Sequence, residues 1–312
     1  MSQLSLREAD KLEVTVLVDN YADLLLMDST ETVQRVQAAF PDTLLAEHGL
    51  SCLVKVFVGS EEHWVLMDAG ISESCLLNNA DVMEVDLTRI ESLVLSHGHF
   101  DHFGGLMAFL GRAKKGIPVI VHPDAFLEFR LNLPFLDQPL DLPRLDETAI
   151  TQTGAVVQKI GEASTLASDL VLVTGNVERT TDFETGFPWM EAMIEGKWIV
   201  DPFRHDQGIA VMVKNRGLVV VGGCSHAGII NTVRHAQKVS GADKVHAVLG
   251  GFHLSGVLFE PIIGKTIEEM KKIAPALVVP MHCTGWKAIK RFSEEMPDQF
   301  ILNAVGTTYV FG

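Results

Sequence analysis

The run Ser96-His97-Gly98-His99-Phe100-Asp101-His102 packs three imidazoles and a carboxylate into a few consecutive residues, directly after the apolar Leu93-Val94-Leu95. Neutral imidazole and ionised carboxylate are the ligand types that Zn²⁺ or Fe²⁺ accepts. Alternation from a strand end points His97 and His99 the same way, and Gly98 permits a tight bend between them. Asp101 and His102 fall where a helix can start, ahead of Phe103-Gly104-Gly105-Leu106-Met107, so the one cluster faces two adjacent metal positions. Three more histidines share a context: His226, His253 and His282 each follow an apolar run through a turn. As members of the same site, His282 ranks first, His226 next and His253 last.

The elements that must position these groups are legible from pattern. Leu12 to Val18 is strand-like by its β-branched content, and ends in Asp19-Asn20-Tyr21-Ala22-Asp23, read either as turn formers or as pocket residues. Glu31 to Phe40 reads as a helix stopped by Pro41. Leu53 to Val58 and Trp64 to Met67 flank a polar turn and read as a hairpin that ends at Asp68. At that strand edge a carboxylate can orient a metal-bound histidine through a hydrogen bond. A helix is expected over Phe103 to Lys115 and a strand over Pro118 to Val121, leading to His122, a pocket residue or a structural one.

From Phe126 to about Phe203 periodicity is weak, with regular structure expected only over Leu170 to Val173. Long irregular stretches in a compact domain are usually lids or binding loops. The late aromatics, Trp189 among them, then either shape a cap over the site or simply pack the loop down, and 123–205 is expected as that cap. Alternation resumes at Ile209–Val213 and Leu218–Val221, followed by Gly222-Gly223-Cys224-Ser225-His226 and a helix over Ile229 to Val239. The strands Val245–Leu249 and Ala276–Pro280 lead to His253 and His282 in turn, with helices over Pro261 to Ile273 and from Trp286, and a last strand at Thr307 to Phe311. Hairpins and interspersed helices in both halves imply an α+β fold: two mixed sheets packed face to face with helices outside.

With 312 residues, 47% of them hydrophobic and 21% charged, the chain is long enough for one large domain or two small ones, with a sizeable core. A net charge of -15 argues against nucleic-acid partners, whose phosphates call for Lys/Arg clusters. Cys52, Cys75, Cys224 and Cys283 form no Cys-x-x-Cys pair and suit a reducing cytosol. The N-terminal residues lack a signal-peptide core, and no run approaches a membrane span. A cytoplasmic enzyme of small molecules is expected, its oligomeric state open.

The His-x-His-x-Asp-His run, with the upstream acid in Leu66-Met67-Asp68-Ala69-Gly70, resembles the signature of the metallo-β-lactamase-fold superfamily, and the likeness extends from about residue 12 to the C-terminus. Glu47-His48-Gly49-Leu50-Ser51, Gly223-Cys224-Ser225-His226, Gly250-Gly251-Phe252-His253 and His282-Cys283-Thr284-Gly285 are similar to its 4-(β-D-ribofuranosyl)aminobenzene 5′-phosphate synthase-like, dihydropterin-related subfamily. The resemblance implies an αββα sandwich over 1–312 with metals along one sheet edge. It implies His97, His99 and His226 around one ion, and Asp101, His102 and His282 around a second. The ions would be Zn, with Fe or Mn as alternatives. His205 is an alternative to His226, which is preferred.

The superfamily's bridging Asp has no counterpart after Gly222-Gly223, so either Cys224 approaches a metal or nothing bridges. Two ions about 3.5–4 Å apart would make a shared water reactive toward an ester or phosphoester. Asp101 would hold or deprotonate that water, and His253 and His48 would bind an anionic substrate or protonate a leaving group. Asp68, Cys224, His48, Asn20 and Trp189 are expected around the ligands. A metal-dependent hydrolase is the leading reading; a synthase-like transferase, an iron-dependent redox protein and a non-catalytic binder are the others.

Overall fold

The computed structural model describes residues 3–36 and 42–312. The chain opens with β1 (Lys11–Val18), β2 (Val33–Gln34), β3 (Ser51–Val58), β4 (Glu61–Met67), α1 (Glu73–Val82) and β5 (Ser92–Val94). Next come α2 (Phe100–Phe103), α3 (Leu106–Arg112), β6 (Pro118–Val121), β7 (Phe129–Leu131), β8 (Leu140–Asp141), α4 (Glu147–Gln152) and β9 (Val156–Lys159). β10 (Ser164–Leu166), β11 (Val171–Val173), β12 (Met190–Ile194), β13 (Lys197–Val200), β14 (Ile209–Val213) and β15 (Gly217–Gly222) follow. The chain closes with α5 (Ile229–Ser240), β16 (Val245–Gly251), α6 (Ile263–Ile273), β17 (Leu277–Met281), α7 (Trp286–Glu295) and β18 (Thr308–Phe311).

Eight strands form one sheet in the order β2-β18-β1-β3-β4-β5-β6-β9, and six form a second, β10-β11-β14-β15-β16-β17. Period-two alternation explains how the layers assemble. Val54, Val65, Val94 and Ile120 point from the first sheet into a core shared with Val173, Val211, Val221, Leu249 and Val279 of the second. Their neighbours Leu53, Leu66, Leu93 and Val119 point the other way, onto Leu76, Leu106 and Phe109 of α1 and α3. On the far side Val220, Val248 and Val278 pack under Ile230, Ile267 and Phe292 of α5, α6 and α7. This is the expected αββα sandwich.

Parallel pairing needs crossover connections, and the helices supply them. β4, β5, β6 and β9 run parallel in the first sheet, β15, β16 and β17 in the second. The carboxyl ends of β4 and β5 lead to Asp68 and His97, and those of β15, β16 and β17 to His226, His253 and His282. All five lie where open α/β sheets place their ligands, beyond the carboxyl ends of strands.

Several expectations need correction. Glu31 to Val36 is not helical: β2 forms the sheet edge, Val33 pairing with Tyr309 and Gln34 with Thr308, while Gln37 to Pro41 lie outside the described residues. Pairing with β18 outweighs the weak helical pattern there. The helix over Phe103 to Lys115 is broken at Gly104-Gly105 into α2 and α3, where Gly104 donates its N–H to Phe100 and Gly105 to Gly70. Nor is 123–205 one irregular cap. Its parts β9, β10 and β11 return to the two main sheets, whereas β13-β12-β7-β8 make a third, antiparallel sheet. Strands of two to five residues carry too few alternations to show in the sequence. Among the described residues no helix is long and apolar enough to cross a membrane.

The turns after β15 and β5 pack tightly where Gly223 meets Ser96: a Cβ on Gly223 would lie 2.1 Å from the serine Oγ. Gly111, in α3, has open space where a Cβ would go. Gly223→Ala is therefore expected to cost about 1–3 kcal/mol by overpacking. Gly111→Ala should add roughly 0.5 kcal/mol by restricting the unfolded chain. Urea denaturation of the two variants checks both signs.

Candidate metal centre

Ser96 and Asp68 set the geometry of the first histidines. Asp68 is fully buried, in the left-handed region with φ 61, and accepts from Ser96 N–H (2.7 Å), Ser96 Oγ (2.7 Å) and His102 Nδ1 (2.7 Å). His97 donates from Nδ1 to Ser96 Oγ at 2.9 Å. With both Nδ1 atoms committed as donors, the Nε2 atoms of His97 and His102 are the ring nitrogens left to face the space between the sheets. His97 Nε2 is buried and has no hydrogen-bond partner.

Two donor groups form there. In the first, His97, His99 and His226 present ligand atoms within 4.8 Å of one another, and His99 Nδ1 lies 3.1 Å from His226 Nε2. In the second, Asp101, His102, Cys224 and His282 converge: His102 Nε2 is 3.1 Å from His282 Nε2, and Asp101 Oδ2 is 3.4 Å from His282 Nε2. Imidazole nitrogens crowded to 3.1 Å from one another are what a divalent cation would resolve. The buried donors thus fit a metal.

The electrostatics agree. Burial, then neighbouring His102, pushes His97 well below its ordinary pKa. Burial and His253 do the same to His226, while burial and His205 bring His99 down to about 3. All three are neutral near pH 7, the form that binds metal. His102 differs: burial opposes its charge, but Asp68 and Asp101 outweigh burial and raise it to about 9. Burial resists ionisation of Asp101, yet His102 and His282 hold its pKa well below the usual carboxylate range.

The remaining expected residues fall at different distances. Asn20 donates from Nδ2 to the His282 carbonyl (3.0 Å), and its Oδ1 stands 3.4 Å from His282 Nδ1. His48 is at the mouth, 62% exposed, its Nε2 at 3.6 Å from Asp101 Oδ2. His253 stands beside His226, ring centroids 4.2 Å apart, away from Asp101. Trp189 lies outside both donor groups and touches Phe187 and Phe135 instead. His122 closes a turn by accepting from Asp124 N–H at 3.0 Å. His205 also approaches His99, together with Asp201, but both its ring nitrogens are taken: Gly98 N–H donates to Nδ1 (3.2 Å) and Nε2 donates to Asp201 (3.0 Å). It braces the His97–His99 loop, which leaves His226 in the first group.

Sequence reasoning gave no role to Ser96, Asp201, Phe129 or Phe203, and left Asp19 open. Asp19 is buried and accepts from His282 N–H (2.8 Å) and Asn303 Nδ2 (2.6 Å), fixing the turn after β17. Phe203 stacks on His226 at 4.6 Å, and Phe129 stands edge-on to His99 at 5.6 Å. These rings come from the third sheet and its flank. A cavity of about 110 Å³ adjoins His226 and His253, walled by Phe183, Phe252 and Phe259 with Glu184, and no Lys or Arg lines it among the described residues.

Comparison with known proteins decides the family. Residues 53–194 match the model described as "Metallo-beta-lactamase superfamily". A curated 7,8-dihydropterin-6-methyl-4-(beta-D-ribofuranosyl)-aminobenzene-5'-phosphate synthase of Methanocaldococcus jannaschii is 30% identical over 281 residues, 86% of this chain and 92% of that one. The chain belongs to the metallo-beta-lactamase superfamily. An uncharacterised protein of the same organism is also 30% identical, over 84% of this chain and 92% of its own. The solved structure of a metal-dependent hydrolase of the beta-lactamase superfamily superposes with a TM-score of 0.74 at 23% identity, covering 95% of this chain and 98% of its own. That last likeness bears on fold alone.

His102 must lose its proton before Nε2 can ligate. Loading the metal-free protein with zinc at pH 7.5 is therefore expected to release at least one proton per chain, and fewer in Asp68→Asn, where one of the two carboxylates that raise the His102 pKa is neutral. Calorimetry in buffers of different ionisation enthalpy reads the number directly. Proton release equal in the two proteins would contradict the role given to Asp68.

Proposed function

We propose that the protein is a metal-dependent hydrolase that binds two divalent ions, zinc by preference, and acts on a small phosphate-bearing, ester or pterin-related molecule. The observation that carries this reading is the convergence of two buried groups of metal-ligand side chains at one rim. His97, His99 and His226 would hold one ion, and Asp101, His102 and His282 the other. Ions held there supply the positive charge that makes water acidic near neutral pH and polarises the attacked oxygen.

The chain's own groups divide the remaining work. Asp101 is ionised and only weakly basic, so its Oδ2 holds a water by accepting a hydrogen bond. His48 has its pKa lowered by burial, then by His282, and is neutral at pH 7; at 3.6 Å from Asp101 it can carry a proton between the site and solvent. His253, on the cavity wall, stands where a leaving-group oxygen could be protonated. The aromatic wall favours a flat ring, and the lack of cations in it leaves a substrate phosphate to the metal side of the site. Four free cysteines accord with a reducing, cytoplasmic setting.

A second reading has specific support. The named relative aligned over most of its length is a synthase whose product carries a dihydropterin and a ribofuranosyl-aminobenzene phosphate. The same metal centre and aromatic cavity would then hold a dihydropterin carrying a leaving group on its 6-methyl carbon beside the aminobenzene phosphate, which would displace that group as the new bond forms.

His97→Ala and His282→Ala are expected to abolish metal-dependent turnover of phosphodiester, phosphomonoester or lactone substrates while far-ultraviolet circular dichroism is unchanged. Asp68→Ala should weaken metal affinity about 10–100-fold. Undiminished turnover in the histidine variants would remove the metal site from the reaction. Bond formation between a dihydropterin and an arylamine phosphate, with no hydrolysis, would select the synthase reading.

A further inference from the structure

The carboxyl ends of β15, β16 and β17 follow one another along the rim, so His226 and His253 stand toward one end and His282 at the other. The cavity described above adjoins the first pair. A second and larger cleft, of about 420 Å³, opens at the β17 end, with His282 and Asn20 on its wall. Asn20 Nδ2 also stands 3.4 Å from His48 Nδ1, and the His48 ring lies beside His282 with centroids 4.9 Å apart. The cleft therefore continues from the mouth of the second donor group.

What it offers a ligand is apolar. The polar side chains on its wall are turned to partners inside the protein. Asp19 accepts from His282 N–H and Asn303 Nδ2, Asn303 Oδ1 accepts from the Tyr309 hydroxyl at 2.9 Å, and Asn20 donates to the His282 carbonyl. No Lys, Arg or Glu lines the cleft among the described residues. The hydrocarbon of Met281, Ile289 and Leu302 remains, with Trp286 at the start of α7 and Tyr21 after β1. Trp286 is 71% exposed and Tyr21 42%, although rings of this size are mostly covered in folded chains. A flat ring entering the cleft would cover the indole and remove apolar surface from water. A phosphate there would meet a buried carboxyl group and no cation.

We propose that this cleft is a second substrate subsite, which takes an uncharged aryl group whose reacting end lies on the His282 side of the metal centre. This rests on the metal reading above and deepens it: the substrate, or a pair of substrates, places one group against His253 and an aryl ring against Trp286.

The probe is para-nitrobenzyl alcohol, a neutral aryl molecule whose nitro group quenches indole fluorescence, added to zinc-equilibrated protein. Trp286 lines this cleft, and no tryptophan lines the other cavity among the described residues. Quenching should saturate, and its saturable part should vanish in Trp286→Phe. Ile289→Glu keeps the indole but puts a charge in the cleft, so the dissociation constant should rise at least about tenfold. Benzyl alcohol should compete, and inorganic phosphate should not. Quenching that rises linearly with the probe, stays saturable in Trp286→Phe, is undiminished in Ile289→Glu or is displaced by phosphate would overturn the aryl subsite and leave the metal reading standing. Zinc measured in the same samples tests that reading separately. A chain that binds no zinc would overturn it, and with it the assignment of the cleft to a substrate.

Discussion

The structure depends on one constraint: parallel strands from two different sheets must end at the same rim, close enough for their side chains to meet. The contact of Gly223 with Ser96 sets that closeness, and the crossover helices keep β4–β6 and β15–β17 pointing the same way. His97 and His226 lie far apart in sequence, yet the sandwich core of valines and leucines brings them within one donor group. The core is ordinary; its use is to hold two rims in register.

Burying this many polar groups is expensive unless each is satisfied. The backbone shows the cost, since Asp68, Ser225, His253 and His282 all sit in the left-handed region, with φ of 61, 57, 45 and 52. Non-glycine residues in such conformations cost about 1–3 kcal/mol each and cluster at functional sites. Asp68 and Asp19 offset part of this by accepting several hydrogen bonds, each fixing one histidine of the second donor group. The unpartnered nitrogens, such as His97 Nε2, are buried polar atoms that a metal ion could satisfy.

Much of this was legible in the chain. The dense His-x-His-x-Asp-His run needed no tertiary information, because its members are neighbours in sequence. His226 and His282 were legible through repetition of strand, turn and histidine. Asp19 was ambiguous because only the fold reveals that its acceptor oxygens meet the backbone of His282. Ser96 stands visibly at the head of the motif, but its link between Asp68 and His97 depends on a turn geometry that sequence does not specify. Phe129 and Phe203 were hidden for a different reason: the short strands of the third sheet have too little alternation to announce themselves, so the rings they bring to His99 and His226 had no visible address. Trp189 shows the converse, an aromatic residue conspicuous in sequence that packs on Phe187 outside the donor groups.

Anomalous diffraction at the zinc edge, from crystals of the protein grown with zinc, is the most direct measurement of whether these side chains form one metal centre. The account predicts two peaks, one among His97, His99 and His226 and the other among Asp101, His102 and His282. A map with no anomalous density at either position would contradict it.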